Sequence, residues 1–187
     1  MYYLLVSFFL VTTTLPAQSG WGLCVSAGYA RGGSADYVPS QRAQALHGTA
    51  TVYYRRQVLP AWALEVGLGG RGLLSYGEFD GERYRGAALR LYLPLTLDYR
   101  IGAGPWSVIG GYALQNERDL AGLDNRRGAV LRHWARTGAR YRYRERWTLE
   151  MTAQTTVNDI PAFFYVADPR YALGIGINYH LWKTSDE

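Results

Sequence analysis

The sequence predicts an all-β chain, an eight-stranded antiparallel up-and-down transmembrane β-barrel, and three observations predict it. The first is the stretch Ala88–Arg100, in which Leu89, Leu91, Leu93, Leu95, Leu97 and Tyr99 take every second place. Arg90, Tyr92, Pro94, Thr96, Asp98 and Arg100 fill the places between. A period of two is the period of a β-strand, here with one apolar and one polar face. Its length is about twice that of an ordinary strand, and a tilted strand needs ~9–11 residues to cross a bilayer with lipid on one face and a polar lumen on the other. The second observation is that other stretches repeat this template, joined by links that are alternately short and long. The third is that Trp and Tyr gather at the strand ends, in two bands.

Composition agrees with this pattern. The chain has 187 residues, one domain's worth, and is 48% hydrophobic with 14% aromatics. Its mean hydropathy is nevertheless only −0.18, as expected when apolar residues occupy alternate places. No run of ~18 apolar residues follows the first segment, which argues against a helical span. Cys24 is the single cysteine, so no disulfide framework and no cysteine metal site is expected. It is read as a small residue on an inner strand face.

Taken in order, residues 1–17 read as a signal peptide and 18–187 as the barrel domain. Tyr2–Val11 is the apolar segment, and Pro16-Ala17 precede Gln18. The expected first strand is Trp21–Ala30, with Trp21, Leu23, Val25, Ala27 and Tyr29 outward. The second, Leu46–Arg56, turns Ala50, Val52 and Tyr54 out. The third, Ala61–Tyr76, turns Trp62, Leu64, Val66, Leu68, Leu74 and Tyr76 out and Glu65 and Arg71 in. The fourth is the stretch already described. The fifth, Trp106–Gln115, shows Trp106, Val108, Tyr112 and Leu114 outward. The sixth, Leu131–Arg144, sets Ala135, Ala139, Tyr141 and Tyr143 against Trp134, Arg136, Arg140, Arg142 and Arg144. The seventh, Trp147–Val157, and the eighth, Tyr171–Trp182, follow the same alternation.

Short links follow the even strands: Gln57–Pro60, Ile101–Pro105 and Glu145-Arg146. Long polar links are expected at Arg31–Ala45, Gly77–Arg85, Asn116–Val130 and Asn158–Arg170. Short turns on one rim and long loops on the other are the rhythm of a bacterial outer-membrane barrel, with both termini on the periplasmic side. Trp21, Trp62, Trp106 and Trp147 begin the odd strands. Tyr54, Tyr99, Tyr141 or Tyr143, and Tyr179 end the even ones, so all should lie at the periplasmic interface. Tyr29, Tyr76, Tyr112 and Tyr171 fall at the opposite rim.

These residues carry a resemblance. The run Leu91-Tyr92-Leu93-Pro94-Leu95, with Tyr99, Gly104-Pro105-Trp106 and Gly110-Gly111-Tyr112, resembles the small bacterial outer-membrane β-barrel family. Within it, the likeness is to barrels of the OmpX, OmpA-barrel and PorT-like kind. The closing run Gly174-Ile175-Gly176-Ile177-Asn178-Tyr179 fits as well. The resemblance implies the fold and the outer membrane; the functions in such a family are diverse. Lys183–Glu187, beyond Trp182, depart from its usual aromatic end.

The net charge is +5, and Lys183 is the sole lysine. Arginines in the long links are offset by nearby carboxylates, so the surplus falls in the lumen and at the short-turn rim. That is no groove for nucleic acid. Inside a narrow barrel, charges must be paired and hydrogen-bonded. The expected polar network is Glu65, Arg71, Arg90, Tyr92, Asp98, Arg136, Arg140, Arg142 and Glu150, with Arg140 or Arg142 opposite Glu150. A structural plug is the expectation and a selective anion path the alternative.

The spelling Gly67-Leu68-Gly69-Gly70-Arg71-Gly72 matches G-x-G-x-x-G, but more strand follows where a dinucleotide site needs a helix. His47, His133 and His180 are well spread, and His133 faces lipid with no Ser on its strand or the next. No catalytic, cofactor or metal residues are therefore expected. Phe163, Phe164 and Tyr165 form a candidate contact patch in the last long link, for a partner or for the barrel mouth and outer leaflet. The reading is a non-enzymatic outer-membrane barrel with a membrane-integrity or surface-interaction role. The alternatives are a lipid A-modifying enzyme or a component of a secretion or envelope-assembly complex. Expected partners are outer-membrane lipid and lipopolysaccharide, the barrel-assembly machinery during insertion, and an extracellular or envelope protein.

Overall fold

A computed structural model describes residues 19–32, 42–79, 82–116, 131–157 and 169–181. The expected signal peptide and the Phe163–Tyr165 patch lie outside the described residues. The strands are β1 (Ser19–Gly32), β2 (Arg42–Leu59), β3 (Trp62–Phe79), β4 (Glu82–Arg100), β5 (Trp106–Asn116), β6 (Leu131–Arg144), β7 (Trp147–Thr156) and β8 (Pro169–His180). Each pairs antiparallel with its sequence neighbour, and β8 pairs with β1, which closes the sheet into an eight-stranded barrel. Closure gives every strand a partner on each side, the one way a sheet can sit in hydrocarbon with its backbone satisfied.

The two faces sort as the period of two requires. Leu89, Leu93, Leu95, Leu97 and Tyr99 on β4 are exposed, while Arg90, Tyr92, Thr96 and Asp98 between them are buried. An apolar exterior around a polar interior inverts a soluble protein and suits a chain dissolved in lipid. Pro94 is also buried inward. It cannot donate to the ladder, and the β3–β4 pairing runs to Val66↔Leu95 and resumes at Gly69↔Tyr92. Gly67 makes room for its ring, since a Cβ there would lie 2.8 Å from Pro94 Cγ.

One expectation is corrected. Gly77–Arg85, read as a long polar link, is mostly paired strand: Gly77↔Tyr84, Glu78↔Arg83 and Phe79↔Glu82 continue the ladder. Glycine and charges give this stretch the composition of a loop, yet the backbone ladder runs through it. β2 is likewise longer than expected, taking in Arg42–Ala45 from the Arg31–Ala45 link and Gln57–Leu59 from the next, so β2, β3 and β4 run to 18, 18 and 19 residues, against 10 to 14 for the others. The wall is tallest there, on the long-loop side.

Candidate functional site

The lumen holds the densest chemistry, and it is built in two tiers. In the lower tier, toward the short turns, Arg140 is the hub. Its Nε donates to Glu150 Oε2 at 2.7 Å, and its Nη1 donates to Glu65 Oε1 at 2.6 Å and Asp98 Oδ2 at 2.9 Å. Arg55 Nη1 reaches the same Glu65 and Asp98 oxygens at 2.6 and 2.7 Å. Arg136 pairs with the other oxygen of Glu150 and donates to Thr96 Oγ1 at 3.3 Å. Asn178 Nδ2 adds a donor to Glu150 Oε2 at 3.3 Å. Three guanidiniums thus meet three carboxylates contributed by β2, β3, β4, β6 and β7. Charges taken this far from water persist only when paired in this way.

The gap beside this cluster is about 20 Å³, room for about one water. Below it, Tyr53 OH meets His180 Nδ1 at 3.0 Å, and Thr148 Oγ1 meets His180 Nε2 at 3.3 Å. Cys24 is buried on the inner face of β1, as its strand phase requires.

The upper tier is different. Arg71 Nη1 donates to Gln115 Oε1 at 3.2 Å, and Nη2 donates to Gln154 Oε1 at 2.9 Å. Its guanidinium lies 5.1 Å from the centroid of the Tyr92 ring and 4.8 Å from that of Trp134, an amide and aromatic setting for a buried cation. Arg90 sits directly opposite Arg71 in the ladder and is equally buried. Around them, small inward residues (Ala30, Ala45, Ala88, Ala113 and Ala172) leave the space that Trp134 and the arginines fill.

Of the expected network, Glu65, Asp98, Arg136, Arg140 and Glu150 come together, and Arg140 is the residue opposite Glu150. Arg71 and Tyr92 belong to the upper tier and bond to amides, not to the three carboxylates. Arg142 is corrected: it is exposed at the short-turn rim, where the β6–β7 register shifts between Arg142 and Arg144. Arg55 was missing from the expected set. The signal for it was present, because the short turn after β2 sets Arg55 opposite Glu65.

The outer face carries the expected aromatics as four tilted ring pairs. Trp21–Tyr54, Trp62–Tyr99, Trp106–Tyr141 and Trp147–Tyr179 have ring centroids 5.3, 4.6, 4.9 and 4.7 Å apart. All four join neighbouring strands at the short-turn rim, and Tyr141, not Tyr143, completes the ring. Tyr143 lies beneath the Arg144 guanidinium, 5.3 Å from centroid to cation. Toward the long-loop end, His133 faces outward and its Nδ1 bonds to Tyr112 OH. Ala135, Leu114 and Thr155 are the outward residues near it in the ladder.

No family model matches this chain, and no curated protein matches it. Among solved structures it is similar to the outer membrane protein OprG from Pseudomonas aeruginosa, with 14% identity over 88% of this chain and 97% of that one and a TM-score of 0.48. It is also similar to the translocator domain of the autotransporter NalP from Neisseria meningitidis, with 11% identity over 95% of this chain and 94% of that one and a TM-score of 0.34. At such identities no property passes from either protein to this one.

Proposed function

We propose that this chain is a bacterial outer-membrane barrel of the small OmpX-like or PorT-like kind. In this reading the short-turn rim is periplasmic and the lumen is a structural plug. The protein acts through its surfaces, in membrane integrity or in contacts made by its long loops. The observation that carries the reading is Arg140, whose three carboxylate partners on β3, β4 and β7 tie the walls together across the lumen. A side-chain lattice with a gap of about 20 Å³ beside it leaves little path for solutes.

The non-enzymatic part of the reading draws support from His133. Nucleophilic acyl transfer needs a hydroxyl activated by a base that is itself oriented. The hydroxyl that His133 bonds is the phenol of Tyr112, and the other outward hydroxyl near it in the ladder is that of Thr155.

The test compares cells that lack the protein with cells carrying the wild type or His133→Ala. It reads the lipid A mass spectrum and the uptake of small solutes. The proposal expects an unchanged spectrum and no added uptake. An acyl chain gained or lost in a His133-dependent way would make the protein an enzyme, and uptake that follows its expression would make the lumen a path.

A further inference from the structure

The short-turn rim is strongly basic. Among the described residues it carries Arg56, Arg100, Arg142, Arg144 and Arg146, with Glu145 as the carboxylate there. The lumen above supplies no counter-charge, because its lower tier is already balanced. Arg55, Arg136 and Arg140 are bound to Glu65, Asp98 and Glu150. Neither Arg100 nor Arg144 has a carboxylate partner among the described residues, and Arg144 lies over the Tyr143 ring.

Strand phase sorts these arginines. Arg146 bonds to Tyr179 on the outer face, at the height of the aromatic ring where headgroups lie. Arg100 and Arg142 take the inward phase: Arg100 follows the buried Thr96 and Asp98 on β4, and Arg142 is paired with the buried Thr148. Both stand at the lumen mouth, turned from lipid, and Arg142 is exposed there. A cleft of one sign between low-dielectric walls focuses its field and concentrates ions of the other sign. The ion lattice closes the floor of this cup, with a gap of about 20 Å³ beside it, so an anion drawn in stops at the mouth.

The spacing narrows the kind of anion. Arg142 N donates to Pro105 O at the foot of β5, and Arg100 flanks β5 on its other side, opposite Ser107. Two strand spacings put their backbones roughly 10 Å apart, and Arg144 extends the arc. Same-face side chains of an extended peptide recur every ~7 Å. A run of acidic residues therefore meets these guanidiniums one after another, which a single small anion cannot.

We propose that the short-turn mouth docks an acidic polypeptide segment of a periplasmic partner, with its carboxylates held by Arg100, Arg142 and Arg144. The placement of that partner rests on the outer-membrane reading; the anion site does not.

The experiment titrates the protein in nanodiscs of zwitterionic phosphatidylcholine with a fluorescent oligoglutamate peptide, read by anisotropy. Parallel arms use oligoglutamine and inorganic phosphate, and folding of each variant is checked by the heat-dependent shift in its gel migration. Wild type binds oligoglutamate, and added salt weakens the binding. Arg100→Glu and Arg144→Glu each bind roughly tenfold more weakly, while Arg85→Glu, on the opposite rim, binds as wild type does. Arg144→Glu changes an exposed side chain, so it reports even where Arg100→Glu perturbs folding. Four results overturn the proposal: folded variants that bind as wild type does, oligoglutamine held equally well, phosphate bound as tightly as the peptide, or peptide binding that appears only once residues 183–187 are removed. The last would give the mouth to the chain's own Asp186 and Glu187. A wild-type chain that does not enter nanodiscs overturns the membrane reading itself. Orientation is read separately from Ala103→Cys in whole cells, since Cys24 is buried. Labelling by an impermeant maleimide only after the outer membrane is opened supports the periplasmic partner, and labelling of intact cells overturns it.

Discussion

Arg140 and Glu150 face each other across the two-residue turn that joins β6 and β7, with Nε 2.7 Å from Oε2. From that cross-strand pair Arg140 extends over the lumen to Glu65 and Asp98 on the opposite wall. One side chain thereby links β6 to β3, β4 and β7. Removing it takes a buried cation from three carboxylates at once and leaves Glu65 and Asp98 to Arg55 and Glu150 to Arg136.

Arg140→Met is therefore expected to destabilise the barrel by about 3–5 kcal/mol, the range found when one partner of a buried pair is removed. Urea unfolding in lipid vesicles measures it. A loss below about 1 kcal/mol, the range of an exposed pair, would mean that water screens the cluster.

The inward and outward glycines should separate cleanly. Gly138→Ala places a Cβ 2.1 Å from Met151 O, and Gly111→Ala places one 2.2 Å from Leu95 O. Neither clash is with a flexible chain end, so each should cost about 1–3 kcal/mol or block folding. Gly72→Ala meets nothing within 3.9 Å and should leave stability near wild type. Folding yield and urea midpoints of the three variants decide between these outcomes.

The rim pairs offer a quantitative check. Trp62 and Tyr99, 4.6 Å apart, should show a coupling of about 0.5–1.5 kcal/mol in a double-mutant cycle with alanine. A coupling near zero would mean that each ring partitions into the interface alone, without help from its neighbour.

Strand positions and faces were legible because a period of two survives in the residues themselves, as in Leu89–Tyr99. The aromatic rim was legible because Trp and Tyr recur at matching ends of successive strands. Partnerships inside the lumen were legible only where a short turn fixes the register. Arg140 with Glu150 is such a case, and Arg55 with Glu65 is another that the same rule would have found. The division into two tiers was not legible: the reach of Arg140 to Asp98 depends on how the closed barrel staggers its strands. Arg142 was misplaced because alternation assigns it a face but not a depth, and its depth is the exposed rim. The β3–β4 extension was hidden because its composition is that of a loop.

The central claim is a closed barrel with lipid against the odd-numbered face of β4 and packed side chains against the even-numbered one. Spin labels placed singly from Leu89 to Arg100 in vesicle-embedded protein test it most directly, through their accessibility to oxygen and to a water-soluble relaxant. The account predicts high oxygen accessibility at 89, 91, 93, 95 and 97, low accessibility to both agents at 90, 92, 96 and 98, and a sharp period of two. Odd positions open to the water-soluble agent, or a profile without alternation, would contradict it.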